Sequence, residues 1–356
     1  VWVERALIFL MVSCPCALVV SVPLSFFGGI GGASRRGILI KGASDLEALC
    51  GVRVMVFDKT GTLTQGVFSV NAIHPLRLSP AELMDIAAAA ESRSSHPVAE
   101  SIVAAHGGHI DPSRIGEVSE AAGLGVIAVI DGQTYAVGNG KLMDRVGAPW
   151  HDCHLAGTVV HIARGAEYLG HIVINDRLKD GAAGAMARLK ALGVERIVML
   201  TGDDERVAGA VAQSLGLDEY RARLLPGDKV SAVEEWIGKG GKVAFVGDGI
   251  NDAPVLSRAD VGIAMGAAGS DAAIESADIV LMDDNLAKLP LAVSLCRRTL
   301  RIVRQNIVFA LGVKAVILAL SAAGLTHMWI AIFGDVGVMI LAILNAMRAM
   351  LPPREA

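Results

Sequence analysis

Charge is what this chain lacks most. Asp, Glu, Lys and Arg make up 19% of its 356 residues, against about 25% in a typical soluble domain. Hydrophobic residues reach 53% and mean hydropathy is +0.52. That excess excludes a wholly soluble protein and directs attention to membrane spans. A basic surplus is absent as well: the net charge of −4 excludes a strongly basic nucleic-acid binder. Cysteine is sparse, with five residues scattered along the chain. No disulfide scaffold is expected, although two of the five sit as Cys14-Pro15-Cys16 inside an apolar run. No Walker A pattern occurs, because Gly140-Lys141 is followed by Leu142 rather than Ser or Thr. The chain starts at Val1, not Met, and enters an apolar run almost at once, which reads as a piece of a longer chain.

The apolar sequence is concentrated at the two ends. Arg5 and Arg35 bracket 29 uncharged residues, enough for a transmembrane helix of about 20 and too long for a signal-peptide core of about 7–15. Near the other end, Gln305 to Met347 is strongly apolar, and its only ionisable residues are Lys314, His327 and Asp335. A polar break at Gly324-Leu325-Thr326-His327 predicts two spans, near 303–323 and 328–348. Basic clusters flank the spans: Arg35, Arg36 and Lys41; Arg297, Arg298, Arg301 and Arg304; Arg348 and Arg354. The positive-inside rule places all three, and everything from about 42 to 300, on the cytoplasmic side of a multi-pass membrane protein whose partner is lipid.

The middle predicts an α/β protein. Short buried-strand runs (Arg53–Phe57, Arg196–Leu200, Val243–Val246, Val261–Ala264, Ile279–Met282) alternate with helical stretches such as Gly181–Leu192 and Glu205–Leu215. That alternation argues for a doubly wound parallel sheet, with its ligand at the carboxyl ends of the strands. Those ends read Asp58-Lys59-Thr60, Thr201-Gly202-Asp203 and Gly247-Asp248-Gly249. Carboxylates and hydroxyls at three strand ends suit Mg²⁺ and phosphate. Asp58 is a plausible phosphoryl acceptor, Asp248 and Asp252 are oxygen donors, and Thr201 and Lys229 are candidates to hold phosphoryl oxygens. Any one of these alone reads equally well as a strand-end cap; the set in this order does not. The stretch of about 66–172, with a helix at Ala81–Ser92 and strand runs at Val126–Ile130, Gln133–Val137 and Thr158–Ala163, reads as an inserted second domain.

Asp58-Lys59-Thr60-Gly61-Thr62-Leu63-Thr64, Thr201-Gly202-Asp203 and Gly247-Asp248-Gly249-Ile250-Asn251-Asp252-Ala253-Pro254 resemble the phosphorylation-domain signatures of P-type ATPases. Cys14-Pro15-Cys16 and Ser95-His96-Pro97 resemble the heavy-metal-transporting branch. The resemblance implies a haloacid-dehalogenase-like doubly wound parallel sheet with an inserted α+β nucleotide-binding domain and three transmembrane helices. It divides the chain into a first span (1–41), a phosphorylation domain (42–65 and 173–300), a nucleotide domain (66–172), a helical hairpin (301–350) and a tail (351–356). By resemblance Asp58 is the aspartyl-phosphate residue, and Asp58, the Thr60 carbonyl and Asp248 hold Mg²⁺. Thr201 and Lys229 contact the phosphoryl group, with Lys59, Thr62, Gly202, Asp203, Asn251 and Asp252 completing the pocket. Glu91, His96, Gly123, Gly125, Val126, Gly138 and Asn139 match the ATP-binding positions. Nothing resembles the family's actuator domain, so the N-terminal part of the same pump is expected to be missing. A full transport cycle is not expected of this chain alone.

The ion path rests on a separate argument. Cys14 and Cys16 would point about 200° apart on a regular helix. Pro15 cannot donate its backbone hydrogen bond and unwinds or kinks the turn. Both thiols can then face one soft or borderline ion, such as Zn²⁺, Cd²⁺ or Cu⁺. Lys314 and Asp335 lie 11 and 10 residues from Leu325 at the hairpin turn, about 15 Å deep and therefore near the bilayer midplane. Ionisable groups there face a partner or a pathway, so the two should pair in the absence of metal. In the family, a lysine and an aspartate at these positions accompany export of Zn²⁺, Cd²⁺ and Pb²⁺ from the cell, across a plasma or inner membrane. The alternatives are a Cu⁺ pump of the same family, a haloacid-dehalogenase-type phosphatase, and a non-catalytic membrane fragment. Cys50, Cys153 and Cys296 show no metal-ligand spacing and are expected to be inert.

Overall fold

The structure is a computed structural model that describes residues 9–10, 12–248, 252–266 and 271–351. Its strands are β1 (Ile38–Ile40), β2 (Val52–Asp58), β3 (Thr64–Pro75), β4 (Ile115–Ala121), β5 (Gly125–Ile130), β6 (Gln133–Gly138) and β7 (Thr158–Arg164). They continue as β8 (Glu167–Leu178), β9 (Arg196–Leu200), β10 (Glu219–Arg221), β11 (Lys242–Gly247), β12 (Val261–Met265) and β13 (Ile279–Leu281). Leu63–Asp180 with Thr201–Ser214 forms one compact unit, and the remaining described residues form the other.

In the larger unit the sheet order is β1-β13-β12-β11-β2-β9-β10. The central strands are parallel and read as nearly continuous apolar runs because both faces are covered. Val54, Val56, Val198, Leu200, Val243 and Phe245 meet Val233 and Trp236 of helix Pro226–Gly238 in one core. The edge strand β1 departs from the parallel expectation: it runs antiparallel to β13. From β2 the chain first builds outward through β9 and β10, then returns to β11 on the other flank of β2. That reversal makes the carboxyl ends of β2 and β11 the switch point of the sheet, where an α/β fold opens a ligand crevice.

Among the described residues three helices are long and apolar enough to cross a membrane: Cys16–Ser34 (19 residues), Lys288–Ala322 (35 residues) and Met328–Met350 (23 residues). At 1.5 Å per residue the second is about 50 Å long, more than a ~30 Å hydrocarbon core needs. Its first turns bury Leu289, Ala292, Val293 and Cys296. Further along, Val308, Leu311 and Val316 stay exposed, as do Trp329 and Phe333 of the third helix, which suits a lipid-facing surface. Polar groups tie the bundle together. Asn306, buried in the second helix, donates to the Ala342 carbonyl at 3.1 Å and accepts from Asn345 at 2.9 Å. Interhelical hydrogen bonds of this kind hold helices where the hydrophobic effect does not discriminate between them.

The smaller unit carries an antiparallel sheet ordered β3-β8-β7-β6-β5-β4. Helices Pro80–Glu91 and Pro97–His106 cover one face, burying Leu83, Ala87 and Ile102 against Val126, Val137, Ile162 and Ile172. The first helix starts cleanly because Ser79 and Glu82 form a capping box before Pro80. Beyond the sheet, helix Gly140–Val146 packs Leu142 and Met143 on Ala136, Ala163 and Tyr168.

Candidate functional site

Asp58 is the last residue of β2, in register with Leu200 of β9. Thr201, Gly202 and Asp203 follow Leu200 directly, and the buried Thr201 accepts from the Asp203 amide through Oγ1 at 3.1 Å. Lys229 Nζ donates to Asp58 Oδ1 at 2.6 Å and to Asp252 Oδ1 at 2.9 Å. Carboxylate oxygens of Asp58, Asp248 and Asp252 all lie within 4.8 Å of one another. Asp58 is 6% exposed and Asp252 2%. Burial pushes the Asp58 carboxyl up to about 7; the negative charge of Asp252 adds to the rise and Lys229 opposes it. Burial works against the Lys229 charge, but Asp58 and Asp252 outweigh it and hold the ammonium above its ordinary value.

After β2 the loop turns back over the carboxylate. Thr60 is extended at φ −72°, ψ 133°, and Gly61 is left-handed at φ 71°. A Cβ at Gly61 would collide with the Asp248 carboxylate, so only glycine fits both the conformation and the space. Lys59 and Thr62 are buried and Thr60 is exposed. Thr62 Oγ1 makes no hydrogen bond among the described residues. Asn251 lies outside the described residues. Three converging carboxylates and an orphaned buried hydroxyl fit a hard divalent cation such as Mg²⁺ with a phosphoryl group.

In the smaller unit, Glu91, His96, Gly123, Gly125, Val126, Gly138 and Asn139 all line one cavity of about 530 Å³, within the range of small-molecule sites. Gly125 and Gly138 pair across β5 and β6; a Cβ on either would meet the backbone of the other strand. Asn139 turns out to be structural as well: its side chain caps helix Gly140–Val146 and donates to the Gly123 carbonyl at 2.9 Å. His96 caps helix Pro97–His106, with Nδ1 accepting from Val98 N at 3.2 Å. That bond puts the proton of the neutral ring on Nε2, a donor available to a ligand. Glu91, buried at the end of its helix, is pushed up to about 7 by burial and by the charge of Glu120. Sequence reasoning missed Thr158 and Val160, which reach the cavity wall from β7. Only strand pairing brings them there.

In the membrane-type helices, Pro15 lies outside helical structure and the helix starts at Cys16. The Cys14 and Cys16 sulfurs lie against each other, with Cα atoms 5.5 Å apart. The unwound turn brings both sulfurs to one point, as two ligands of a single ion would require. Lys314 Nζ donates to Asp335 Oδ1 at 3.1 Å and to the Val12 carbonyl at 3.2 Å. Asp335 sits in a π-turn, Phe333–Gly337, an irregularity that often marks a functional site.

A carboxylate-bearing strand end, a lysine bridging two carboxylates and a switch-point crevice make a site suited to a divalent cation and a phosphoryl group, on a sheet of the hydrolase type. Residues 52–260 match the model of the haloacid dehalogenase-like hydrolases, and the chain belongs to that family. Over 98% of its length it is 52% identical to a zinc-transporting ATPase of Synechocystis, of which it covers 48%. It is also 52% identical to a cadmium, zinc and cobalt-transporting ATPase of Bacillus subtilis, of which it covers 50%. A crystal structure of a zinc-transporting PIB-type ATPase in an E2·Pi state superposes with a TM-score of 0.88 at 39% identity, across 98% of this chain and 58% of that one. The chain spans about half the length of the curated relatives it matches.

Proposed function

We propose that this chain supplies the catalytic core and part of the ion path of an ATP-driven exporter of Zn²⁺, Cd²⁺ or Pb²⁺, working with the remaining half of the same pump. The observation that carries the reading is Lys229 bridging Asp58 and Asp252 beside Asp248 at the switch point of the sheet. In this reading residues 42–65 and 173–300 form the phosphorylation domain and 66–172 the nucleotide domain. Both lie on the cytoplasmic side, where the arginine and lysine clusters flanking the spans belong.

ATP binds in the cavity of the smaller unit, with Glu91 and His96 meeting the base and the Gly125–Gly138 pair allowing close backbone approach. An Asp58 carboxylate oxygen attacks the γ-phosphorus; the new O–P bond forms as the bond to the β,γ-bridging oxygen breaks, and ADP leaves. Lys229 keeps Asp58 aimed, and Thr201 meets the phosphoryl oxygens. Mg²⁺, held by Asp58, Asp248 and the Thr60 carbonyl, would supply charge neutralisation on those oxygens. Water later cleaves the O–P bond, releasing inorganic phosphate and restoring Asp58. In the membrane, reduced Cys14 and Cys16 offer two sulfur ligands. Asp335 adds a hard oxygen that suits a divalent ion better than Cu⁺. Lys314 holds Asp335 while no ion is bound and stands in as counter-ion afterwards.

The test uses the full-length protein in membranes with γ-labelled ATP. An acid-stable, hydroxylamine-sensitive label is expected, and Asp58→Asn should abolish it. Label that persists in Asp58→Asn would remove the basis of the reading.

A further inference from the structure

The antiparallel sheet carries a cluster of groups that none of this chemistry uses. His74 on β3 and His171 on β8 are direct cross-strand partners, with ring centroids 4.9 Å apart. Cys153, in the loop before β7, joins them. One ring nitrogen of each histidine and the Cys153 Sγ lie within 4.8 Å of one another. Sequence spacing gives Cys153 no ligand partners; strand pairing brings two histidines beside it.

Two further observations point to a ligand. Nε2 of His74 and Nε2 of His171 are buried and make no hydrogen bond among the described residues. Buried polar nitrogens are ordinarily satisfied, and two orphans beside one thiol are not expected by chance. His171, itself 3% exposed, is also oriented. Its Nδ1 shares a hydrogen bond with Tyr168 Oη at 3.1 Å, and that oxygen bonds His161 Nδ1 at 2.8 Å. With Nδ1–H donating to Tyr168 and the tyrosine hydroxyl donating to His161, His171 presents the lone pair of Nε2, the arrangement that outer hydrogen bonds impose on metal-bound imidazoles. The loop is pinned too. Arg206 donates to the Cys153 carbonyl at 3.2 Å, and the Leu155 amide donates to Cys153 Sγ at 3.4 Å.

We propose that His74, Cys153 and His171 form a binding site for a borderline divalent cation of the Zn²⁺ class, next to the exposed His154. The His154 ring centroid lies 5.5 Å from that of His74. One thiolate and two imidazoles select Zn²⁺ over Mg²⁺, Ca²⁺ or Mn²⁺. Zn–S and Zn–N bonds of about 2.3 and 2.0–2.1 Å place tetrahedral donors roughly 3.3–3.6 Å apart, so the cluster needs to close by no more than about 1.5 Å around the ion. The site lies in the unit that holds the nucleotide cavity. The strand that follows its loop, β7, gives Thr158 and Val160 to the cavity wall. The ion therefore fixes the segment leading into that wall. The inference does not depend on what the membrane helices carry.

The experiment uses the full chain in detergent with Cys14→Ser and Cys16→Ser, which removes the membrane thiols. Zn²⁺ binding is measured by competition with a chromophoric chelator, and Co²⁺ is added separately as an absorbing probe. One Zn²⁺ per chain and a thiolate-to-cobalt charge-transfer band are expected. Cys153→Ser should abolish the band, and His171→Ala should weaken Zn²⁺ at least tenfold. A chain that binds no Zn²⁺, or a band that survives Cys153→Ser, overturns the proposal. Should Cys153→Ser fail to fold, His74→Gln at its half-buried strand position repeats the affinity measurement, and unchanged affinity there overturns it equally.

Discussion

Asp58 should make the protein less stable than it could be, and removing its charge should show by how much. Burial and the Asp252 charge lift its carboxyl from 3.8 to about 7. At 1.36 kcal/mol per pKa unit, that rise corresponds to roughly 4 kcal/mol between the protonated and ionised forms. A carboxyl whose folded pKa exceeds its unfolded value binds more protons when folded. The Asp58 contribution to stability is therefore fully present below about pH 4 and is lost as pH climbs through 7. Asn resembles the neutral acid in shape and carries no such dependence, while Lys229 keeps its bond to Asp252. In chelator, Asp58→Asn should therefore melt well above the wild type at pH 8. With about 2–4 °C per kcal/mol for a unit of this size, the gap is roughly 10 °C, closing toward nothing near pH 4. Millimolar Mg²⁺ should narrow it, because a cation among three carboxylates stabilises the ionised wild type. Near-UV circular dichroism of the detergent-solubilised chain, melted at pH 4, 6 and 8, measures the effect. Equal melting at pH 8, or a gap that ignores pH, refutes the reasoning.

How much of this was legible in the sequence depends on the range of the interaction concerned. The run Val52–Asp58 announces a buried parallel strand because both its faces need apolar residues, and its terminal carboxylate stands out for the same reason. The chemical types of Asp248, Asp252 and Lys229 were equally readable, but Lys229 meets Asp58 across 171 residues of chain. β1 and β10 left no signal, since three-residue strands are too short to show a period. Cross-strand register explains the larger omission. His74 and His171 are nearly a hundred residues apart in sequence and become neighbours only when β3 pairs with β8. The membrane helices lie between these cases. Asn306 and Asn345 are visible as lone polar residues in apolar runs, yet nothing local names their partners, whereas equal depth from one turn sufficed to suggest Lys314 with Asp335.

Two further outcomes test the cavity and the ion path. Gly138→Ala places a methyl against the Leu124 carbonyl and the Gly125 backbone, so β5 and β6 must part at the cavity wall. ATP affinity, measured by calorimetric titration, should fall at least tenfold, and an unchanged affinity would show that the nucleotide binds elsewhere. The second outcome separates structure from transport. Lys314 is 7% exposed with Asp335 as its carboxylate partner. Asp335→Ala should therefore cost about 3–5 kcal/mol by stranding a buried charge. It should also abolish Zn²⁺-stimulated ATP hydrolysis by the full-length pump. The pair Lys314→Met with Asp335→Leu leaves no charge unpaired, and replacements of that kind are commonly neutral or stabilising. The double variant should recover the melting temperature of the parent while remaining unresponsive to Zn²⁺, because the oxygen ligand is still missing. If the recovered double variant hydrolyses ATP in response to Zn²⁺ as the parent does, the pair only fastens the hairpin and the ion takes another route.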